Sequence, residues 1–122
     1  MQDQAIGTSY SVILGQMIRK LREQNNADQK DLAAHMGVSV MTVSRIESGD
    51  TVLDVPQMEK AAKFFQIAPQ EFFAASLKAK KEAEKKYRVF QNKKEINKEP
   101  NMAMIGLAAI VGIVGAILIA RK

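Results

Sequence analysis

Residues Gln29 to Glu47, QKDLAAHMGVSVMTVSRIE, contain two short helical patterns separated by Gly37. Asp28 precedes the first pattern and Asp31 follows three residues later, which predicts an N-terminal capping box. Gly37 accepts the left-handed backbone conformation that ends a helix, and Ser39 then supplies the N-cap of a second helix. Two short helices joined at a steep angle by a glycine turn predict a helix-turn-helix, whose second helix enters the DNA major groove.

The same stretch belongs to a longer pattern at fixed spacing, Gln29-x-x-Leu32-Ala33-x-x-x-Gly37-Val38-Ser39-x-x-x-Val43-Ser44-x-Ile46-Glu47-x-Gly49. This pattern resembles that of the lambda-repressor-like, or XRE, family over roughly residues 11–74. The resemblance implies a small all-α domain of five helices, with an opening helix packed behind the helix-turn-helix. Apolar periodicity agrees, because it predicts a helix from Ser9 or Ser11, one opening at Asp54-Val-Pro56 and one opening at Ile67-Ala-Pro69. We expect four aromatic side chains in the core: Phe64, Phe65, Phe72 and Phe73.

Side-chain chemistry indicates how the second helix would contact double-stranded DNA. Gln29, aided by the amides of a helix N-terminus, can donate to a phosphate. Arg45 carries the forked donors that read guanine O6 and N7. Val40 and Met41 can touch a thymine methyl group but make no hydrogen bonds to bases. The candidate DNA-binding residues are Gln29, Lys30, Ser39, Val40, Met41, Thr42, Ser44 and Arg45.

The composition argues against catalysis and against a metal or cofactor site. The chain has no cysteine and one histidine, His35, so neither a cysteine-ligated metal nor a pair of histidine ligands is available. No nucleophile–base pair and no pair of catalytic carboxylates stands out in the sequence. We therefore predict a protein that is not an enzyme and needs no cofactor, with His35 on its surface.

A stretch of nineteen residues near the carboxyl end, Met102–Ala120, has no polar or charged side chain. About 20 such residues in a helix cross a bilayer core about 30 Å thick, so residues 101–122 are predicted to form a single-pass tail anchor. Basic residues flank mainly its amino-terminal side, which places the preceding domain in the cytoplasm, at the inner membrane. The span includes Met102, Gly106, Gly112, Gly115 and Ala120. Small residues at every fourth position offer a face on which two spans could pair as a homodimer: Ala108, Gly112, Ala116 and Ala120.

Charge divides the rest of the chain. Residues 1–8 are polar and expected to be loosely ordered and flexible, and residues 9–77 hold the helix-turn-helix domain. Residues 1–77 together carry seven Lys/Arg against nine Asp/Glu, a net charge of −2. Residues 78–100 carry nine basic against four acidic side chains, so this juxtamembrane linker is expected to contact anionic lipid headgroups at the end nearest the span. Its other end is free to assist DNA binding, and the alternative is a plain solvated spacer. Pairs such as Glu82–Lys86 favour a helix there. The linker also has a thin apolar seam: Ala79, Ala83 and Tyr87.

Together these features predict a membrane-anchored, sequence-specific transcriptional regulator of a bacterium or phage, which binds DNA as a dimer through the recognition helix Ser39–Glu47. The alternative is an adaptor that binds a protein in the membrane or cytoskeleton. RodZ-like cell-shape proteins resemble this layout of an amino-terminal helix-turn-helix, a basic stretch and one span, and their domain binds a cytoskeletal protein. They normally carry a large domain beyond the membrane, whereas two residues follow the span here.

Overall fold

The computed structural model describes residues 6–85, 88–90 and 103–104. Within these residues the chain forms the five predicted helices and three short strands. The elements in order are β1 (Ile6–Ser9), α1 (Tyr10–Gln24), α2 (Gln29–Met36), α3 (Val40–Ser48), α4 (Val55–Phe64), α5 (Pro69–Glu84), β2 (Arg88–Phe90) and β3 (Ala103–Met104). The all-α expectation is thus confirmed for the helices, and the strands are an addition that the sequence patterns did not predict.

Helix α1 lies at the centre of the domain and packs against α3, α5 and β1. Its apolar residues at three- and four-residue spacing are almost completely buried, as predicted: Ile13, Leu14, Met17, Ile18 and Leu21. Leu32 from α2, Ile46 from α3 and Phe72 from α5 complete the same core. This core is what fixes the position of the helix-turn-helix relative to the rest of the domain.

The contact between α1 and α3 is unusually close, because α1 has a glycine where the two helices meet. A Cβ atom on Gly15 would overlap the carbonyl oxygen of Ile46 and would lie 2.8 Å from that of Glu47. Neighbouring side chains of α1 bond the end of α3: Gln16 Nε2 donates to the Glu47 carbonyl at 3.1 Å, and Ser11 Oγ donates to the Gly49 carbonyl at 3.0 Å. Helix C-termini leave carbonyls without intrahelical partners, so α1 supplies donors where α3 needs them.

The aromatic cluster is only partly in the core. Phe72 and Phe65 are buried, whereas Phe64 is half-buried and packs against His35 in a tilted arrangement with ring centroids 5.3 Å apart. Phe73 is 47% exposed, so its assignment to the core is wrong. Successive helical residues point about 100° apart, so Phe72 and Phe73 cannot share one inner face.

The amino-terminal residues 6–8, expected to be flexible, lie in β1, which is the middle strand of a parallel sheet in the order β2-β1-β3. Gly7 is the register partner of Arg88 on one side and of Met104 on the other. The strand forms because its backbone groups pair with segments far away in sequence. Local composition carries no signal for such pairing.

Helix α5 crosses the boundary that the charge pattern placed between residues 77 and 78. It continues to Glu84, and Ala79 and Ala83 are fully buried against the domain. The alanine seam therefore belongs to the domain and not to a separate linker. The chain then forms strand β2 at Arg88–Phe90 instead of continuing as a helix towards residue 100.

The predicted membrane span falls almost entirely outside the described residues. Its described part, Ala103–Met104, forms strand β3. At these two positions the structure therefore has a strand in place of the predicted helix. Within the described part of the chain, no helix combines the length and the apolar character needed to cross a membrane.

Candidate nucleic-acid interface

The helix-turn-helix begins with a capping box at the amino-terminal end of α2, as the sequence predicted. The backbone amide of Asp31 donates to Asp28 Oδ1 at 2.8 Å, and the amide of Asp28 donates to Asp31 Oδ2 at 3.3 Å. The hydrogen bond from the Asp31 amide holds the pKa of Asp28 below its ordinary value, since it stabilises the carboxylate form. The box fixes where α2 begins and leaves its first turn at the surface.

The turn between α2 and α3 depends on two features of backbone geometry. Gly37 ends α2 in the left-handed region, at φ +71°, and the amide of Val38 donates to the Ala33 carbonyl at 3.0 Å. Ser39 then caps α3, because its Oγ accepts from the amide of Thr42 at 3.1 Å. Gly49 ends α3 at φ +81°, again left-handed. A short α3 is thereby bounded at both ends.

The buried side of α3 is held by a network around Glu47, whose side chain is 4% exposed. Its two carboxylate oxygens accept from Arg22 of α1, with Nε–Oε2 at 2.7 Å and Nη2–Oε1 at 3.1 Å. Oε1 also accepts from Gln29 Nε2 of α2 at 3.0 Å. Arg22 Nη1 donates further to the Ala27 carbonyl at 3.0 Å. One carboxylate therefore ties the recognition helix to both helices that precede it.

The hydrogen bond with Glu47 raises the pKa of Arg22 above its ordinary value. Arg22 stays charged under all ordinary conditions, and its planar fork matches the carboxylate in a two-point contact. Arg22 is thus a permanently charged structural partner of α3.

The opposite side of α3 faces solvent. Val40 and Met41 are 45% and 59% exposed, and Ser44 and Arg45 are exposed one turn later. Val43, at 1% exposed, lies between them on the buried face with Ile46 and Glu47. The helix therefore presents a short outer stripe with two apolar side chains at its start and a hydroxyl and a guanidinium beyond.

The structure places the predicted site residues in two parts of the helix-turn-helix, the first turn of α2 and the start and outer stripe of α3. Lys30 is exposed on α2, and Gln29 beside it is half-buried because its amide nitrogen is bonded to Glu47. Ser39 and Thr42 share a hydrogen bond between their hydroxyl oxygens at 3.0 Å. In the described residues, no group of three or more His, Cys, Asp or Glu side chains could hold a metal ion.

Two residues that position α3 do not follow from the local sequence patterns. Local patterns give no role to Arg22 or Gly15, although each fixes α3 from 25 or more residues away. A signal for Arg22 existed: a buried Glu47 on the inner stripe of α3, next to Ile46, needs a basic partner. Its identity depends on how α1 packs, which periodicity does not specify.

The comparisons with known proteins agree with this geometry. Residues 18–72 match a family model described as Helix-turn-helix. Over 50 residues the chain is 46% identical to a protein of Methanoculleus marisnigri named "Putative HTH-type transcriptional regulatory protein", an alignment that covers 40% of this chain and 16% of that protein. No solved structure matches the chain. The matched residues run from within α1 to the start of α5 and so include α2, the glycine turn and α3.

Proposed function

We propose that this protein is a transcriptional regulator that binds double-stranded DNA, with α3 as the recognition helix in the major groove. The observation that carries the proposal is the two-sided character of α3. Its inner side is bound through Glu47 to α1 and α2, while its outer side presents Met41, Ser44 and Arg45 to solvent. A helix held rigidly with a free outer stripe is the arrangement by which this motif reads base edges.

Each side chain of the proposed interface has a role that follows from its chemistry. The Arg45 guanidinium reads guanine through O6 and N7, which contributes about 1–3 kcal/mol of discrimination. The first turn of α2 faces a phosphate with free amides, and Lys30 adds a positive charge there. Gln29 has two amide hydrogens, so one bonds Glu47 while the second is available to a phosphate oxygen. Phosphate contacts at Gln29 would then hold α2 and α3 in one register on the duplex.

Two further parts of the proposal concern assembly. The apolar stretch Met102–Ala120 anchors the protein in the cytoplasmic membrane, with the basic residues that precede it towards anionic lipid and the DNA-binding domain in the cytoplasm. The protein acts as a homodimer, since proteins of this type read two half-sites about one helical turn apart. Two exposed apolar side chains on α5, Phe73 and Leu77, support a second contact surface between copies, besides the small-residue face of the span.

The test is selection of bound sequences from fragmented genomic DNA by the full-length chain in mild detergent, followed by affinity measurements at low and moderate salt. We expect one enriched sequence that competes better than bulk DNA. Arg45→Ala should lose about 10-fold in affinity for that sequence, or more, and relax base choice at one position.

Arg19→Ala is the matched control, because Arg19 is an equally charged and exposed side chain on α1, where it pairs with Glu23. It should leave the selected sequence unchanged. A wild-type chain that binds no DNA at low salt would refute the proposal and leave the protein-adaptor interpretation in its place.

A further inference from the structure

The start of the recognition helix is apolar and exposed. Val40 and Met41 are its first two residues, and both side chains project from the outer stripe that Arg45 also occupies. Polar residues at such positions would bond base edges directly, which neither of these side chains can do. Exposed apolar groups gain free energy only when another apolar group covers them.

The neighbouring polar groups are partly engaged within the protein. Ser39 Oγ accepts from the Thr42 amide and shares a hydrogen bond with Thr42 Oγ1, so one of the two hydroxyl hydrogens is already used. Gln29 gives one amide hydrogen to Glu47. The side chains at the front of α3 that are fully free to meet a base are therefore Val40 and Met41.

The major groove offers one exposed apolar substituent, the C5 methyl group of thymine. We propose that Val40 and Met41 read thymine by covering this methyl group, and that they are specificity-determining residues alongside Arg45. The inference rests on the proposed DNA-binding function and deepens it. It gives the recognition helix a mixed code, with apolar contact to thymine at its start and hydrogen bonds to guanine one turn later.

The spacing along α3 sets where the thymines lie. Met41 and Arg45 are four residues apart, which is about 6 Å along a helix that rises 1.5 Å per residue. Base pairs stack about 3.4 Å apart. The preferred half-site should therefore carry a thymine within roughly two base pairs of the guanine read by Arg45.

The experiment replaces each thymine of the selected duplex in turn with deoxyuridine, which removes only the methyl group and keeps every hydrogen-bonding group. Binding of the full-length chain in mild detergent is followed by fluorescence anisotropy at constant salt. Burying one such group contributes about 0.8 kcal/mol, so we expect about a fourfold loss of affinity at one or two thymines and no loss at the others.

Protein variants assign the effect to the two residues. In Val40→Ala or Met41→Ala, the loss of affinity caused by deoxyuridine should disappear at one position, because the side chain that covers the methyl group has been removed. Val52→Ala is the matched control, because Val52 is also 45% exposed but lies in the segment between α3 and α4. It should keep the full penalty. All three positions are exposed, and circular dichroism checks that the variants remain helical.

The outcomes separate this inference from the proposed function. Sequence-specific binding that no deoxyuridine substitution weakens would overturn the thymine assignment and leave the DNA-binding function standing. Penalties that persist in both alanine variants would also overturn it, because other residues would then cover the methyl groups. A chain that binds no DNA sequence preferentially would overturn both.

Discussion

Glu47 offers the most direct way to test how the recognition helix is held. Glu47→Gln keeps the shape of the side chain but replaces one accepting carboxylate oxygen with an amide NH2 that only donates, so at most one of the two hydrogen bonds from Arg22 can persist. A hydrogen bond to a charged group contributes about 1.5–3 kcal/mol. The free energy of unfolding should therefore fall by about 2 kcal/mol. Glu47→Ala removes the partner altogether and should cost about 3 kcal/mol, the lower end for a buried pair, because the Arg22 side chain is 14% exposed and can reach water.

The assay is urea unfolding followed by circular dichroism, on a chain that lacks residues 105–122 so that the signal comes from the domain. With a slope of about 1 kcal/mol per molar urea for a domain of this size, the midpoint for Glu47→Gln should fall by about 2 M at an unchanged slope. Glu23→Gln is the matched control, because Glu23 pairs with Arg19 in an exposed contact and its loss should cost about 0.5 kcal/mol or less. Equal losses from the two substitutions would refute the idea that Glu47 ties the three helices together.

Two further predictions concern packing and pH. Gly15→Ala places a methyl group against the Ile46 carbonyl and should destabilise the domain by about 1–3 kcal/mol or more, measured by the same unfolding assay; a neutral effect would mean that α1 and α3 separate easily. The pKa of Asp28 is lowered in the folded state, so its contribution is present above the unfolded value and is lost as pH falls through the folded one. Thermal unfolding between pH 6 and pH 2.5 should therefore show an acid-side loss of stability that is smaller in Asp28→Asn, whose cap does not titrate.

The sequence predicted well whatever depends on neighbours in the chain. The Asp28 cap, the Gly37 turn and the Ser39 cap all appear where short-range patterns placed them, since each is set by residues within four positions. The outer stripe of α3 followed from the helical repeat in the same way. These features were enough to define the candidate interface before any packing was known.

The features that failed depend on contacts between distant parts of the chain. The partner of Glu47 is 25 residues away on α1, and the choice of Arg22 depends on the angle at which Gly15 lets the helices meet. The charge pattern predicts a separate linker after residue 77, because charged side chains favour solvent. Its two alanines nevertheless complete the domain, as Ala79 and Ala83 are fully buried. The charged side chains of α5 lie on its solvent-exposed side, whereas its small alanine side chains allow the other side to pack against the domain.

Strand β3 places a limit on how the proposed anchor can work. Nineteen apolar residues in a helix would extend about 28 Å, close to the bilayer core of about 30 Å. If Ala103 and Met104 stay paired with β1, the apolar residues left are 105–120, and a helix of that length extends only about 24 Å. Insertion of the full span therefore requires β3 to leave the sheet, so the strand pairing and the full membrane helix should exclude each other.

The chain has no native cysteine, which makes this exclusion measurable by disulfide cross-linking. Gly7 is the register partner of both Met104 and Arg88, so Gly7→Cys can be combined with Met104→Cys or with Arg88→Cys. After oxidation, the pair with Met104→Cys should cross-link in protein kept out of membranes and lose the cross-link in the membrane fraction. The pair with Arg88→Cys should cross-link in both fractions, because β2 precedes the span and is not needed for insertion. Equal cross-linking of Gly7→Cys with Met104→Cys in both fractions would show that β3 stays in the sheet at the membrane, and the anchor would then have to be shorter than the sequence predicts.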